Sequence, residues 1–128
     1  MLKFRSFPLL FLLGLCLVAC GQTAASAPPP PTLSPQATQG KDLFTRECAS
    51  CHSLIEGTVI VGPSLYHIAE RAGERVEGQD AQTYILSSIL DPNRYLVEGF
   101  QDLMPATFGK RLTGEEVDAL VAYLLTLE

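Results

Sequence analysis

A five-residue motif, Cys-x-x-Cys-His at residues 48–52, constrains this chain more than any other feature of its sequence. Two thiols three positions apart lie on one helical turn, so both can add to the vinyl groups at one edge of a porphyrin as thioethers. The histidine that follows lies under the iron and supplies an axial nitrogen. A bare Cys-x-x-Cys would equally fit a redox disulfide or half a zinc site. The adjacent His52 favours one covalent c-type haem, attached at Cys48 and Cys51.

The N-terminus has the features of an export signal. Lys3 and Arg5 precede an apolar run at 9–18, which is short for a membrane span. The run ends in Leu-Val-Ala-Cys, which resembles the cleavage box of bacterial lipoproteins, where cleavage falls before the cysteine that becomes lipidated. We therefore expect residues 1–19 to be a lipoprotein signal peptide and Cys20 to carry the lipid. The alternatives are an ordinary signal peptide and a retained membrane helix.

Composition divides the remainder into a linker and one domain. Residues 20–38 are rich in Pro and Ala, contain four consecutive prolines and show no apolar periodicity, so they predict an extended linker after the lipidated cysteine. The domain is expected at 39–128. A domain of about 90 residues has a limited core, and a covalently attached porphyrin would stabilise it. All three readings of the N-terminus place this domain outside the cytoplasm. The lipoprotein reading also anchors it by lipid to a bacterial membrane, in the periplasm or on the outer face of the cell membrane.

Apolar periodicity predicts an all-α fold, because no stretch alternates as a strand does. Three helices are expected, at 39–50, at 81–90 and after Thr113. Asp80 is the expected cap of the second helix, which must end before Pro92 because a residue preceding proline avoids the helical region. Thr113 and Glu116 form a capping box for the last helix. The segments 53–79 and 91–111 are expected to be mostly irregular, with one helical turn at 66–70.

The charge of the chain is acidic. Loss of Lys3 and Arg5 with the signal leaves seven basic residues against fourteen acidic ones, a formal charge of −7. Such a domain does not suit nucleic acid as a partner. The acidity favours either a partner with a basic docking surface or only solubility.

The second axial ligand separates electron transfer from ligand binding. Methionine together with histidine keeps iron six-coordinate in both oxidation states and raises its potential. Met104 is the one methionine left after processing, and Pro105 restricts its local backbone. His67, the other histidine, is the competitor, with a surface or hydrogen-bonding role as its alternative reading. We predict His52 and Met104 as the axial iron ligands.

Taken together, residues 39–128 resemble the monohaem class I cytochrome c family, whose motifs occur here in family order. Beside the haem motif and Met104-Pro105, the segment 62–65 is similar to the family's Gly-Pro-x-Leu. Gly40 and Phe44 near the start, with Leu120 and Tyr123 near the end, match the family's crossing of terminal helices. The resemblance implies a small all-α domain of three to five short helices wrapped around one covalently bound haem.

The resemblance also implies roles for residues around the haem. The carbonyl of Pro63 accepts a hydrogen bond from the ligating His52 and orients it. Leu65 packs on the haem face, and Arg71 lies near a propionate. Tyr95 ends a stretch similar to the family's Asn-Pro-x-x-Tyr and lies in the haem crevice, although Asp replaces the Asn. A solvated charge for Arg71 and plain packing for Tyr95 are the alternatives.

The function that the resemblance implies is electron transfer, with no catalytic residues and no enzymatic turnover. A membrane-tethered cytochrome c would carry single electrons between membrane redox complexes, its donor and acceptor. One alternative is a fixed haem c subunit of a respiratory or photosynthetic membrane complex. Others are a haem sensor or peroxidase-like enzyme with an open iron site, and a thiol–disulfide protein without haem. The acidic charge departs from the basic mitochondrial members of the family.

Overall fold

The structure, a computed structural model, describes residues 32–128. The predicted signal peptide, Cys20 and the linker up to residue 31 lie outside the described residues. Between residues 32 and 128 the chain forms five α-helices, one 3₁₀ turn and no strand, which confirms the predicted all-α fold. The elements are α1 (Pro35–Glu47), α2 (Ile68–Ala72), α3 (Ala81–Leu90), a 3₁₀ turn (Pro92–Arg94), α4 (Phe108–Arg111) and α5 (Gly114–Leu124). Within this part of the chain no helix has the length and apolarity needed to cross a membrane.

Helix α1 begins four residues earlier than predicted. The hydroxyl oxygen of Ser34 accepts a hydrogen bond from the backbone N–H of Ala37 at 3.1 Å, and Pro35 occupies the first helical position, where its missing N–H costs nothing. Ala37 is buried in the core. Residues 35–38, assigned to the linker from composition, are therefore the first turn of α1. A Ser-Pro helix start is hard to see inside a proline-rich segment.

Helices α1 and α5 cross at close range and form the base of the domain. A Cβ on Gly40 would lie 1.9 Å from the carbonyl oxygen of Ala119, so only glycine allows this approach. The rings of Phe44 and Tyr123 pack with centroids 5.7 Å apart. The predicted capping box of α5 is confirmed. The N–H of Glu116 donates to the Thr113 hydroxyl oxygen, and the N–H of Thr113 donates to the Glu116 carboxylate. The predicted crossing of the terminal helices is therefore present.

The middle of the chain follows the prediction for α3 and departs from it elsewhere. Asp80 caps α3 through the N–H of Thr83 at 2.7 Å, and the helix ends at Leu90, before the proline. Helix α4 was not predicted, because four residues are too few to show periodicity. Helix α2 begins two residues later than the expected turn. His67 takes a left-handed conformation with φ 51°, so the helix cannot include it and begins at Ile68.

Candidate haem site

An open cavity of about 270 Å³ lies between the end of α1, the segment that follows it, α3 and the segment before α4. Most of its lining is apolar, including Phe44, Leu65, Ile85, Phe108 and Leu120. The residues of the Cys-x-x-Cys-His motif and Met104 also line this cavity. The fold thus brings together side chains that lie more than fifty residues apart in sequence.

His52 is held in one orientation. Its Nδ1 lies 2.8 Å from the carbonyl oxygen of Pro63, and since a carbonyl only accepts, Nδ1–H is the donor. The proton on Nδ1 leaves Nε2 with a free lone pair, which is the state in which imidazole binds a metal. A Cβ on Gly62 would lie 2.4 Å from Cε1 of the His52 ring, so the backbone packs directly against the imidazole. The Gly62-Pro63 pair therefore fixes both the position and the tautomer of His52.

Backbone hydrogen bonds hold the segment around His52. The N–H groups of Val61 and Gly62 donate to the carbonyl oxygen of Cys51 at 3.2 and 2.9 Å. The N–H of Leu65 donates to the carbonyl oxygen of Ser53 at 2.8 Å. These bonds fold the chain back on the motif, so that residues 61–65 reach the imidazole.

Cys48 and Cys51 both line the cavity, and no disulfide joins them. Burial raises the pKa of the Cys48 thiol to about 11, and the negative charges of Glu47 and Cys51 add to this effect. The reactive cysteine of a thiol–disulfide enzyme has a lowered pKa instead. Cys48 therefore has the spacing of a redox motif with Cys51, but not the lowered thiol pKa of such a motif.

The structure separates the two candidates for the second axial ligand. Met104 is half-buried, lines the cavity and packs against the core. His67 does not line the cavity. Its ring stacks on Tyr66 with centroids 4.1 Å apart, and its Nδ1 lies 3.2 Å from a carboxylate oxygen of Glu70. Met104 is the candidate that shares a cavity with His52.

Of the weaker predicted site residues, Pro63, Leu65 and Tyr95 line the cavity and Arg71 does not. Tyr95 packs edge to face on Tyr84, with ring centroids 5.7 Å apart. The Arg71 guanidinium donates instead to the carbonyl oxygens of Ser64 and Tyr66, with Nη2 at 2.9 and 2.6 Å from them. Arg71 therefore braces the segment that leads into α2, whereas its expected place near a propionate stays a prediction.

Two other arginines, Arg75 and Arg111, line the cavity, and the sequence analysis missed both. Arg111 pairs with Glu47, the residue directly before the motif, and lies over the ring of Phe108 with its guanidinium carbon 5.3 Å from the centroid. Phe108 and Arg111 are three residues apart, a spacing that places both on one face of a helix. This spacing was the signal available in the sequence. It carried little weight because α4 itself was not predicted.

These groups fit a haem attached through two thioethers. The cavity offers two thiols at the attachment spacing, an imidazole Nε2 with a free lone pair, a thioether sulfur and an apolar lining that suits a porphyrin. A helical domain that presents two thiols, an imidazole and a thioether to one apolar cavity has the features of a c-type haem protein.

The comparisons with known proteins agree. The Cytochrome c family model matches residues 37–128, and the chain belongs to this family. A cytochrome c6 of Rippkaea orientalis (strain PCC 8801 / RF-1) is 30% identical over 96 residues, which cover 75% of each chain. Family membership confirms the predicted class, the single covalent haem c with its iron, and the role of an electron-transfer haem protein.

Two solved structures are also similar, both of engineered cytochromes c from Rhodothermus marinus. The one bound to a carbene intermediate is 24% identical with a TM-score of 0.46, and covers 79% of this chain and 89% of its own. The other is 22% identical with a TM-score of 0.45, and covers 79% and 90%.

Proposed function

We propose that this chain is a single-electron carrier in which His52 and Met104 are the axial ligands of a six-coordinate haem. The observation that carries the proposal is the hydrogen bond from His52 Nδ1–H to the Pro63 carbonyl, which leaves Nε2 free towards a cavity that Met104 also lines. When bound, the haem supplies iron that exchanges one electron between its ferric and ferrous states. The chain acts as a carrier and not as an enzyme.

The residues of the site keep structural change small when the electron moves. His52 is packed against Gly62 and hydrogen-bonded to Pro63, and these two contacts hold its ring in one orientation. Phe44, Ile85 and the other apolar side chains of the lining give a bound haem an apolar environment. A site with both axial ligands supplied by the chain has no open position for a substrate or a gas.

An optical experiment tests the ligand set. The oxidised holoprotein is expected to show the charge-transfer band of a methionine–iron bond, and the reduced protein is expected not to bind carbon monoxide at neutral pH. Carbon monoxide binding by the native reduced protein would instead support a sensor or a peroxidase-like enzyme. Covalent haem staining of the denatured chain checks attachment at Cys48 and Cys51, and an unstained chain would favour a plain thiol pair.

We further propose that lipid on Cys20 tethers the domain to a bacterial membrane on the extracytoplasmic side, in the periplasm or on the outer face of the cell membrane. The export features of residues 1–19 and the proline-rich linker support this arrangement. A tether of this kind holds the domain near membrane redox complexes, its proposed electron donor and acceptor, at an effective concentration of about millimolar. The acidic charge of the domain suits partners with basic docking surfaces.

Two measurements test the tether and the shuttle. The variant Cys20→Ala is expected to move the haem protein from the membrane fraction to the soluble fraction, whereas retention on the membrane would contradict lipid anchoring. Mild detergent extraction of the native protein is expected to release it free of other haem proteins. A stable stoichiometric complex would replace the shuttle with a fixed haem c subunit.

A further inference from the structure

The axial histidine and the carbonyl that orients it lie on two neighbouring stretches of the chain. We call residues 51–55 the histidine arm and residues 61–65 the proline arm. Backbone N–H groups of the proline arm donate to carbonyl oxygens of the histidine arm at 2.8–3.2 Å. The bond from His52 Nδ1–H to the Pro63 carbonyl crosses between the same two arms. The geometry of this bond therefore depends on how the two arms are held together.

The side chain of Ser64 is a second link between the arms. Its hydroxyl donates to the Ile55 carbonyl oxygen at 2.8 Å and lies 3.4 Å from the carbonyl oxygen of Ser53. The same hydroxyl oxygen accepts from the N–H of Tyr66 at 3.2 Å. In the described part of the chain, the side chains of His52 and Ser64 are the two that form hydrogen bonds from one arm to the other.

The position of Ser64 controls the direction of the Pro63 carbonyl. A peptide unit is planar, so this carbonyl group and the Cα atom of Ser64 belong to one rigid plane. The proline ring restricts the backbone at one end of the plane, and the Ser64 hydroxyl anchors the residue at the other end. Without that anchor the plane can swing, and the carbonyl oxygen then leaves its place 2.8 Å from His52 Nδ1. A hydrogen bond weakens as its distance and angle depart from the optimum.

We propose that Ser64 is a positioning residue for electron transfer, whose hydroxyl holds the Pro63 carbonyl on His52 and thereby sets the basicity of the axial imidazole. This proposal rests on the proposed electron-carrier function. A hydrogen bond donated by Nδ1–H moves electron density onto the ring, which makes the imidazole a more basic ligand. A more basic ligand favours ferric over ferrous iron. A stronger bond to the Pro63 carbonyl therefore lowers the reduction potential, and a weaker bond raises it.

The contacts of Arg71 distinguish this role from that of a general brace. The Arg71 guanidinium binds the carbonyl oxygen of Ser64 at 2.9 Å, and Arg71 itself lies on α2. This bond holds the same residue, but it ties the proline arm to α2 and not to the histidine arm. Loss of the Ser64 hydroxyl is therefore expected to change the hydrogen bond of His52, whereas loss of the Arg71 guanidinium leaves it in place.

The test compares holoprotein variants at position 64. Ser64→Ala removes the hydroxyl, Ser64→Thr retains it, and Ser64→Val has the shape of threonine without the donor. Loss of the hydroxyl is expected to raise the equilibrium constant of reduction about threefold, roughly 30 mV in potential. By NMR, the Nδ1 proton of His52 is expected to exchange with solvent about tenfold faster, because its hydrogen bond opens more often. Ser64→Thr is expected to keep both native values.

Two controls separate positioning from the loss of any other polar group. Thr58→Val removes a hydroxyl from the stretch between the two arms, where it lies 3.5 Å from the Glu56 carbonyl oxygen and joins neither arm to the other. Arg71→Gln removes the bond from α2 to the Ser64 carbonyl. Both controls are expected to keep the native potential and the native exchange rate of the His52 proton. The methionine–iron band is expected to be unchanged in all of these variants.

Native potential and native proton exchange in Ser64→Ala and Ser64→Val would overturn the positioning role, even if both variants lost stability. A fall in potential with loss of the methionine–iron band would place the effect on Met104 and overturn it as well. If neither variant folds while Ser64→Thr does, the hydroxyl serves folding and the positioning role is wrong. Carbon monoxide binding by the native reduced protein would overturn the six-coordinate carrier, whereas proton exchange at His52 would still decide the role of Ser64.

Discussion

The motif segment (residues 48–65) and the methionine segment (residues 95–107) both line the cavity, but they are held in different ways. In the motif segment, the N–H groups of residues 51, 52, 61, 62 and 65 all donate to carbonyl oxygens of that same segment, and the Pro63 carbonyl accepts from His52. Within the methionine segment the described backbone bonds run from Phe100 to Val97 at 3.0 Å and from Leu103 to Gln101 at 2.9 Å.

The difference shows that the two proposed iron ligands are positioned by different forces. His52 is oriented by the chain itself, before any iron bond is counted. Met104 is positioned by side-chain packing against the core and by the restricted backbone of Pro105. We therefore expect changes in the motif segment to act on folding and haem incorporation, and changes in the methionine segment to act on the iron.

The largest effect is expected from Gly62→Ala, which breaks the motif segment. The new methyl group would lie 2.4 Å from Cε1 of His52, so the imidazole or the backbone must move. We expect a loss of about 3 kcal/mol in the free energy of unfolding of the holoprotein, together with a lower haem content. Gly114→Ala is the control, because no atom lies within 4 Å of its Cβ position. Native stability and haem content in Gly62→Ala would contradict the packing of Gly62 on His52.

The next effect is expected from Met104→Ala, which breaks the methionine segment. The haem stays attached through its two thioethers, but the iron loses a ligand, so the reduction potential falls and carbon monoxide binds. The free energy of unfolding is expected to fall by about 2 kcal/mol, from the loss of a half-buried side chain. Absorption spectroscopy and redox titration measure the outcome. Retention of the methionine–iron band in this variant would show that another group is the ligand.

The features that sequence analysis predicted correctly depend on residues close together in the chain. The caps at Asp80 and Thr113 each involve a side chain and a backbone group three residues away, so the pattern is visible locally. The start of α1 at Pro35 had an equally local signal, but the proline-rich composition around it indicated a linker. Local signals therefore predicted helices well, except at the start of α1, where composition gave a competing interpretation, and at α4, which is too short to show periodicity.

The cavity-lining position of Arg111, which sequence analysis missed, depends on contacts between distant residues. The sequence alone does not distinguish Arg71 from Arg111. In the structure, Arg71 binds two backbone carbonyls, whereas Arg111 lines the cavity. The pairing of Arg111 with Glu47 joins residues 64 positions apart. Which arginine reaches the cavity depends on how the methionine segment returns towards α1, and no local pattern specifies this.

A smaller effect is expected from the Glu47–Arg111 pair, which joins the residue before the motif to the end of α4. Both side chains line the cavity, so each charge acts on the haem, and a nearby cation favours the reduced state. Arg111→Gln should lower the potential and Glu47→Gln should raise it. Each shift should be about threefold in the equilibrium constant of reduction, roughly 30 mV, because Arg111 is half exposed and its charge is screened.

The double variant Glu47→Gln/Arg111→Gln sharpens this prediction, because the two shifts should cancel in a redox titration. Lys110→Gln is the control, since Lys110 is the neighbouring cation on α4 and does not line the cavity. Shifts of the same sign in the two single variants would mean that the pair acts on the potential only through structure.

The smallest effect is expected from Arg71→Gln, which loosens the motif segment without touching the cavity. The guanidinium binds the carbonyl oxygens of Ser64 and Tyr66, directly after the Gly62-Pro63 pair that holds His52. Loss of these bonds should cost about 1 kcal/mol of unfolding free energy, because the carbonyls are partly exposed and water can replace the donor. The reduction potential should stay at its native value, whereas a propionate contact would make it fall with the loss of a cation. Denaturant unfolding and redox titration of the same variant therefore decide between a brace for the motif segment and a direct contact with the haem.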